Sequence, residues 1–410
     1  MSDPEPTPRG IRRLLAKFPK LGGGTGKKVT RWITILAGMV LSGIIGVLMS
    51  NAWVASKEAV AKHPYLAVVL SQKSIDFPIP RDFLRGFQSA YSSGKTYMET
   101  RSGRQVDIRV LEDLGSADEA SRIAARLAED PECILVIGNS NSTLTDTTLN
   151  IFLRSTDPPT YILPIATAND LLVKARTAGH GAVLRMVPDN ARQAEVIQRL
   201  VRSLAPRQRV AIYGDQENSS YSLDLSRDIA SRIRTNGGKI VIEEMIGQTN
   251  SFLRSMPSWE RPDSAPDVII YVGVAHHGLL LIDQLSEADI KVPIIFTDGC
   301  MVGDLLKNID RIQNRAFVLS PVGGEKLSDQ MPTYEPIGKD AYSLATTILG
   351  MCDDVARAGL RKCVEINKER IQLLNGFAGE YRFAADGNNV SMNYKVYEIT
   401  SGHLKPAVDN

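Results

Sequence analysis

The stretch ILVIGNSNSTLT, residues 134–145, joins an apolar run to Gly138 and then to Asn139, Ser140, Asn141, Ser142 and Thr143. Short amides and hydroxyls at the end of a buried strand supply hydrogen bonds without a charge that needs a counter-ion. A helix is expected to begin near Ser142, so that its first N–H groups point back at this loop. Those groups and the hydroxyls of Ser142 and Thr143 suit a carboxylate or another anion. The alternative is that Ser142 or Thr143 simply caps its own helix. A second strand end, YILPIATAND at 161–170, has the same character, with Thr167 and the backbone of Ile165 and Ala166 at its tip.

Other constellations carry less. GGGTGKK at 22–28 lacks the spacing, the following Ser/Thr and the preceding strand of a phosphate loop. His276 and His277 are adjacent, so their side chains diverge, and no third metal ligand lies nearby in sequence. Gly138 to Ser142 is not the Gly-x-Ser-x-Gly of a nucleophile elbow. No catalytic triad, cofactor motif or nucleic-acid motif is found, so an enzyme is not expected. Four cysteines are present. Their spacings do not suggest a metal site. Cys133 opens a buried strand and reads as a small apolar residue. Cys352 and Cys363 are the closest pair, flank an expected helix end, and are a possible disulfide in an exported domain.

The residues between these points alternate strand and helix patterns from residue 65 onward. YLAVVLS, VDIRVLED, CILVIG and TYILP are strands, and the rhythm restarts near residue 185 with RVAIYGD, KIVIEEMI, DVIIYVG and VPIIFTDG. Most of these runs are apolar throughout rather than alternating, which indicates parallel strands covered on both faces. The expectation is an α/β protein of two doubly wound, Rossmann-like lobes, with ligands beyond the carboxyl ends of the strands. Two longer helices are expected over about 339–359 and 366–377, and strands and turns after them.

Charge is unevenly placed. Net charge is +2, yet residues 1–31 hold eight Lys/Arg and two acids, which leaves 40 basic and 44 acidic side chains for the remainder. Residues 32–56, WITILAGMVLSGIIGVLMSNAWVAS, carry no charge. Roughly 20 apolar residues cross a bilayer, and Trp32 and Trp53 stand where interfacial aromatics belong. A transmembrane signal anchor over 32–53 is expected, with the basic tail cytoplasmic. Cleavage after a small-residue site near Ala52 is the competing reading. Gly38, Ser42 and Gly46 form a face through which such helices pair.

LAVVLSQ…FLRGFQSA, VIGNSNSTLT, LPIATAND, LRMVPDNARQAEVIQRLV, VAIYGD, IIFTDG and FAADGNNVSMNYKVYEI follow one another in an order that resembles the type I periplasmic binding proteins. The similarity is to the leucine/isoleucine/valine-binding branch and spans about residues 65–405. It implies that fold, with lobe 1 from 65–185 and 321–390, lobe 2 from 186–320 and 391–410, and 54–64 as linker. It implies a ligand carboxylate held by Ser142 and Thr167 with the Ile165 backbone, and an ammonium group met by Tyr221 and Asp298. Two extra residues precede Tyr221 in DQENSSY, and SQKSIDFPIP replaces the Gly-Pro that usually follows the first strand. The implied function is capture of an amino-acid-like solute for an ABC permease. A sensing or scaffolding ectodomain of the same fold is the alternative.

Overall fold

A computed structural model describes residues 63–71, 78–91, 95–247, 252, 259, 264–312, 314–322 and 334–407. The basic tail, the expected span 32–53 and the linker up to residue 62 lie outside the described residues. Among the described residues, no helix is long and apolar enough to cross a membrane.

The first sheet is built from β1 (Tyr65–Leu70), β2 (Tyr97–Glu99), β3 (Gln105–Glu112), β4 (Cys133–Gly138), β5 (Thr160–Leu163) and β6 (Val183–Arg185). Their order is β2-β3-β1-β4-β5-β6, parallel except for β2. β1 and β4 are buried at every position, as unbroken apolar runs require. The first lobe's helices are α1 (Pro78–Ser89), α2 (Ala117–Glu129), α3 (Ser142–Phe152) and α4 (Asp170–Thr177). α2 shows why they form. Ser116 accepts the Glu119 N–H at its start, and Ala120, Ile123, Ala124 and Leu127 make its buried face. The cap contributes about 1 kcal/mol. Burying Ile123 and Leu127 contributes roughly 1.5–3 kcal/mol each, so the apolar face decides the helix and the cap sets where it starts.

The second lobe follows with α5 (Asn190–Leu204), β7 (Arg209–Asp215), α6 (Ser219–Thr235), β8 (Lys239–Ile246), β9 (Val268–Val272), α7 (Ala275–Glu287), β10 (Ile294–Phe296), α8 (Gly303–Asn308) and β11 (Ala316–Ser320). The chain then returns to the first lobe through α9 (Glu335–Met351), α10 (Arg357–Asn367) and the β12 (Gln372–Leu373) and β13 (Tyr381–Arg382) pair. α9 crosses α1 where Gly86 and Gly338 face each other's backbones. A Cβ at either would run into the other helix. The chain ends in the second sheet as β14 (Lys395–Thr400) and β15 (His403–Pro406), giving the order β15-β14-β11-β10-β9-β7-β8.

Each sheet therefore contains the same doubly wound core, β3-β1-β4-β5-β6 and β8-β7-β9-β10-β11. The winding reverses between β1 and β4 in one and between β7 and β9 in the other. These switch points open crevices at the carboxyl ends of the strands.

Both long helices differ from expectation, and the first runs Glu335–Met351 rather than about 339–359. The second long helix does not cover 366–377: it runs Arg357–Asn367 and is followed by a single 3-10 turn, Lys368–Arg370. The apolar spacing of Ile371 and Leu374 resembles a helix face. Instead Ile371 enters the core and Gln372–Leu373 pairs with Tyr381–Arg382. The earlier start follows from Asp354, whose Oδ1 accepts the Ala356 N–H at 2.9 Å and turns the chain into the new helix.

Cys352, at the end of α9, is joined to Cys363 in α10 by a disulfide with a sequence separation of 11. A crosslink closing a loop of that size stabilises by about 3 kcal/mol in the chain-entropy account. The Cys352→Ala/Cys363→Ala double variant is expected to lose about that much unfolding free energy, read as a lower urea midpoint, and reductant should do the same to the parent. An unchanged unfolding midpoint in both would show that the bridge contributes nothing.

Candidate functional site

The polar run after β4 is divided among five tasks. Gly138 comes first because a Cβ there would fall 2.5 Å from the Val69 carbonyl oxygen. Asn139 is fully buried. Its Nδ2 donates to Asp113 Oδ2 at 3.1 Å, and its Oδ1 accepts the Tyr161 hydroxyl at 2.6 Å. Ser140 Oγ accepts the Ser71 N–H at 2.6 Å and ties the β4 loop to the end of β1 across the first switch point. Asn141 caps α3 by accepting the Leu144 N–H at 2.9 Å. Neither Ser142 nor Thr143 is the cap, so both hydroxyls are released for other partners.

Ser142 Oγ accepts the N–H groups of Thr167 at 3.2 Å and Ala168 at 3.3 Å. Two of the expected binding residues are thus joined, and the serine keeps its own O–H to donate. Arg185, at the end of β6 and fully buried, holds the same loop from the other side. It donates to the Thr167 oxygen at 3.1 Å and to the Ala168 oxygen. Burial pushes its guanidinium below its ordinary pKa. Ile165 packs its side chain into the apolar core.

In the second lobe, Tyr221 on α6 and Asp298, just after β10, also meet. The Tyr221 hydroxyl lies 2.7 Å from Asp298 Oδ1 and 3.0 Å from Gln193 Oε1. Asp298 Oδ2 lies 3.5 Å from the Tyr334 hydroxyl and 3.4 Å from that of Tyr394. One carboxylate is therefore ringed by three phenols. Burial raises the Asp298 pKa, partly opposed by hydrogen bonds from Gln193, Tyr221, the Gly299 backbone and Tyr394.

Asn190, the first residue of α5, links the two halves. Its N–H donates to the Thr167 oxygen at 2.9 Å and its Nδ2 to the Tyr221 oxygen at 3.3 Å. The site is closed: Ser142 and Thr167 are 2% exposed, and Tyr221 and Asp298 4%. The two best-formed cavities of the described residues are lined by other side chains, among them Tyr342 and Phe377 in one and Glu243 and Met245 in the other. Sequence reasoning missed Asn190, Gln193, Tyr334 and Tyr394. The one local signal was the Pro188-Asp189-Asn190 helix start, where Asp189 caps α5.

No family model matches the sequence, and a search of curated proteins finds no relative. Solved structures do match over 84% of this chain. A leucine binding protein from Thermotoga maritima superposes with TM-score 0.71 at 17% identity, covering 97% of that chain. A type 1 periplasmic binding protein from Bordetella pertussis gives 0.69 at 14%, covering 100% of that chain. An ABC transporter substrate-binding protein from Desulfitobacterium hafniense in complex with Leu gives 0.63 at 19%, covering 99%. The fold is that of the type I periplasmic binding proteins.

In this type I periplasmic binding fold the lobes also touch directly outside the Ser142 and Asp298 groups. Thr143 N and Oγ1 both point at Asn218 Oδ1, at 3.4 and 3.2 Å, and Thr143 Oγ1 accepts the Ser220 N–H at 3.1 Å. Thr143 is thus engaged by the opposite lobe. Asn169 repeats the device, donating from N to Asp224 Oδ2 at 2.9 Å and from Nδ2 to Asp228 Oδ2 at 2.8 Å. Each such bond contributes about 0.5–1.5 kcal/mol to the closed form. Asn218→Ala is expected to weaken solute affinity roughly three- to tenfold by favouring the open form, with little change in the unfolding midpoint. Small-angle scattering should show a larger mean radius for the ligand-free variant. An unchanged affinity and radius would mean that the contact does not bias closure.

Proposed function

We propose that this chain is an extracytoplasmic solute-binding protein that closes two lobes around a small amino-acid-like solute and delivers it to an ABC-type permease. The observation that carries the reading is Asp298 ringed by Tyr221, Tyr334 and Tyr394. A buried carboxylate among phenol hydroxyls suits a cationic amino group, through charge and charge-assisted hydrogen bonds. The Ser142 hydroxyl beside the Thr167 N–H, at the start of α3, suits a carboxylate at the solute's other end. Ligation in both lobes makes closure depend on the solute. The Desulfitobacterium neighbour was solved with Leu, which supports an amino acid as the first class to test. The paired groups are donors and acceptors without an activated nucleophile, which favours binding over catalysis.

The charge-free run 32–53 and its one-sided basic flank support a tether in the cell membrane with the lobes outside. A thermal-shift screen of the purified protein against amino acids, amides and polyamines tests the central claim. A stabilising zwitterionic amino acid is the expected hit. Stabilisation only by solutes lacking an amine would overturn it. Membrane fractionation with N-terminal sequencing tests the tether: a mature protein that begins at Ala52 or Trp53 would exclude it.

A further inference from the structure

Asp215 ends β7, and His277 stands in the first turn of α7, just beyond β9. The two residues face each other across the second lobe's switch point, the crevice where doubly wound sheets hold ligands. His277 Nδ1 lies 3.2 Å from Asp215 Oδ1, and Nε2 lies 3.9 Å from Glu217 Oε1. One ligand atom from each of the three residues falls within 4.8 Å of the others. The sequence offered no third ligand near His277. The fold supplies two, from sixty residues earlier.

His277 calls for an explanation. It is 1% exposed, yet neither ring nitrogen makes an aligned hydrogen bond among the described residues. Buried polar groups in native proteins are ordinarily satisfied. Asp215, in contrast, is held on both oxygens. Oδ1 accepts the Glu217 N–H at 2.8 Å, and Oδ2 accepts the Val274 N–H at 3.2 Å, with the Tyr271 hydroxyl at 3.5 Å. An Asp215–His277 ion pair is the plain alternative. The ion pair and a bound divalent cation exclude each other, so metal titration separates the two. A divalent cation would give one ring nitrogen and both carboxylates a common partner. Metal–ligand bonds of 2.0–2.2 Å place neighbouring ligand atoms roughly 3.3–3.6 Å apart. Asp215 Oδ1 already stands 3.2 Å from Nδ1, and Glu217, whose 3.9 Å contact is with the other ring nitrogen, must swing toward Nδ1 to join it.

We propose that Asp215, Glu217 and His277 bind one divalent transition-metal cation, of the zinc type that accepts imidazole and carboxylate together. Water completes the coordination on the side of Glu217, whose side chain is 41% exposed. This inference is independent of the solute reading. It bears on closure, because Asn218, next to Glu217, is the residue that meets Thr143.

The test uses the tag-free 410-residue chain in detergent micelles, stripped with chelator and titrated with zinc by calorimetry and with cobalt by absorbance. One ion per chain is expected, with visible cobalt bands. Glu217→Gln and His277→Ala should each weaken zinc binding by at least about tenfold, while His276→Ala, an exposed neighbour, stays within about twofold of the parent. Glu217 is exposed, so its variant reports on the site even if His277→Ala does not fold. Absence of stoichiometric binding, or parent-like affinity in Glu217→Gln, would overturn the proposal.

Discussion

Asp298→Asn is expected to lower affinity for an amine-bearing solute by roughly ten- to a hundredfold, while the ligand-free protein becomes no less stable. The affinity loss follows from removing one charge-assisted hydrogen bond, on the order of 1.5–3 kcal/mol. The stability result follows from burial. Asp298 is pushed above its ordinary pKa by desolvation. Protonated Asp298 therefore contributes stability that is fully present below the ordinary carboxylate pKa of about 4. That contribution is lost as pH rises through the raised folded-state value. Ammonium binding runs the other way, because it needs the ionised carboxylate and strengthens over the same interval. Asparagine keeps an acceptor for the tyrosines and carries no charge to desolvate. Calorimetry between pH 4 and pH 8 should show affinity for an amino acid rising with pH in the parent and flat in Asp298→Asn. Parallel profiles would remove Asp298 from the binding site.

Arg357→Leu should cost the fold about 3–5 kcal/mol, the range for removing one partner from a buried charged network. Arg357 is 4% exposed and begins α10. Its guanidinium donates to the carbonyl oxygens of Leu127, Ala128, Asp130, Cys133 and Asp157 at one end of the first sheet. Those carbonyls close α2 and lead into β4 and β5, the strands whose far ends carry Ser142 and Thr167. Each acceptor left without a partner costs about 1–3 kcal/mol, and shared relaxation keeps the total below their sum. A domain stable by 5–15 kcal/mol feels a loss of this size as a large fall in its urea midpoint. Arg357→Lys keeps the charge but not the planar fork, and it should recover less than half of the loss. A midpoint for Arg357→Leu within error of the parent would show that water replaces the guanidinium without penalty.

Much of the fold was legible because its signal is local. A parallel strand covered on both faces must be apolar along its whole length, so β1, β4, β7 and β9 announced themselves as runs. Helices on the sheet need one apolar face, as in Ala120, Ile123, Ala124 and Leu127 of α2. The misplaced second helix marks the limit of that signal. Ile371 and Leu374 have helical spacing, but pairing of Gln372–Leu373 with Tyr381–Arg382 decides the local conformation. Pairing partners are distant in sequence and leave no periodicity.

The candidate site divides along the same line. Ser142 and Thr167 lie just beyond strands, where residue type can be read as hydrogen-bonding capacity, whereas Tyr221 and Asp298 entered through the family resemblance alone. The character of the first two was determined by the sequence. What Thr143 bonds was decided by Asn218 on the opposite lobe. What surrounds Asp298 was decided by Gln193, Tyr334 and Tyr394, which come from α5, the start of α9 and the approach to β14. What faces His277 was decided by the turn after β7. Local order can specify that a polar group stands at a strand end. It cannot specify the partner, because partners here come from segments 28 to 96 residues apart that only the packing of two sheets brings within hydrogen-bond distance.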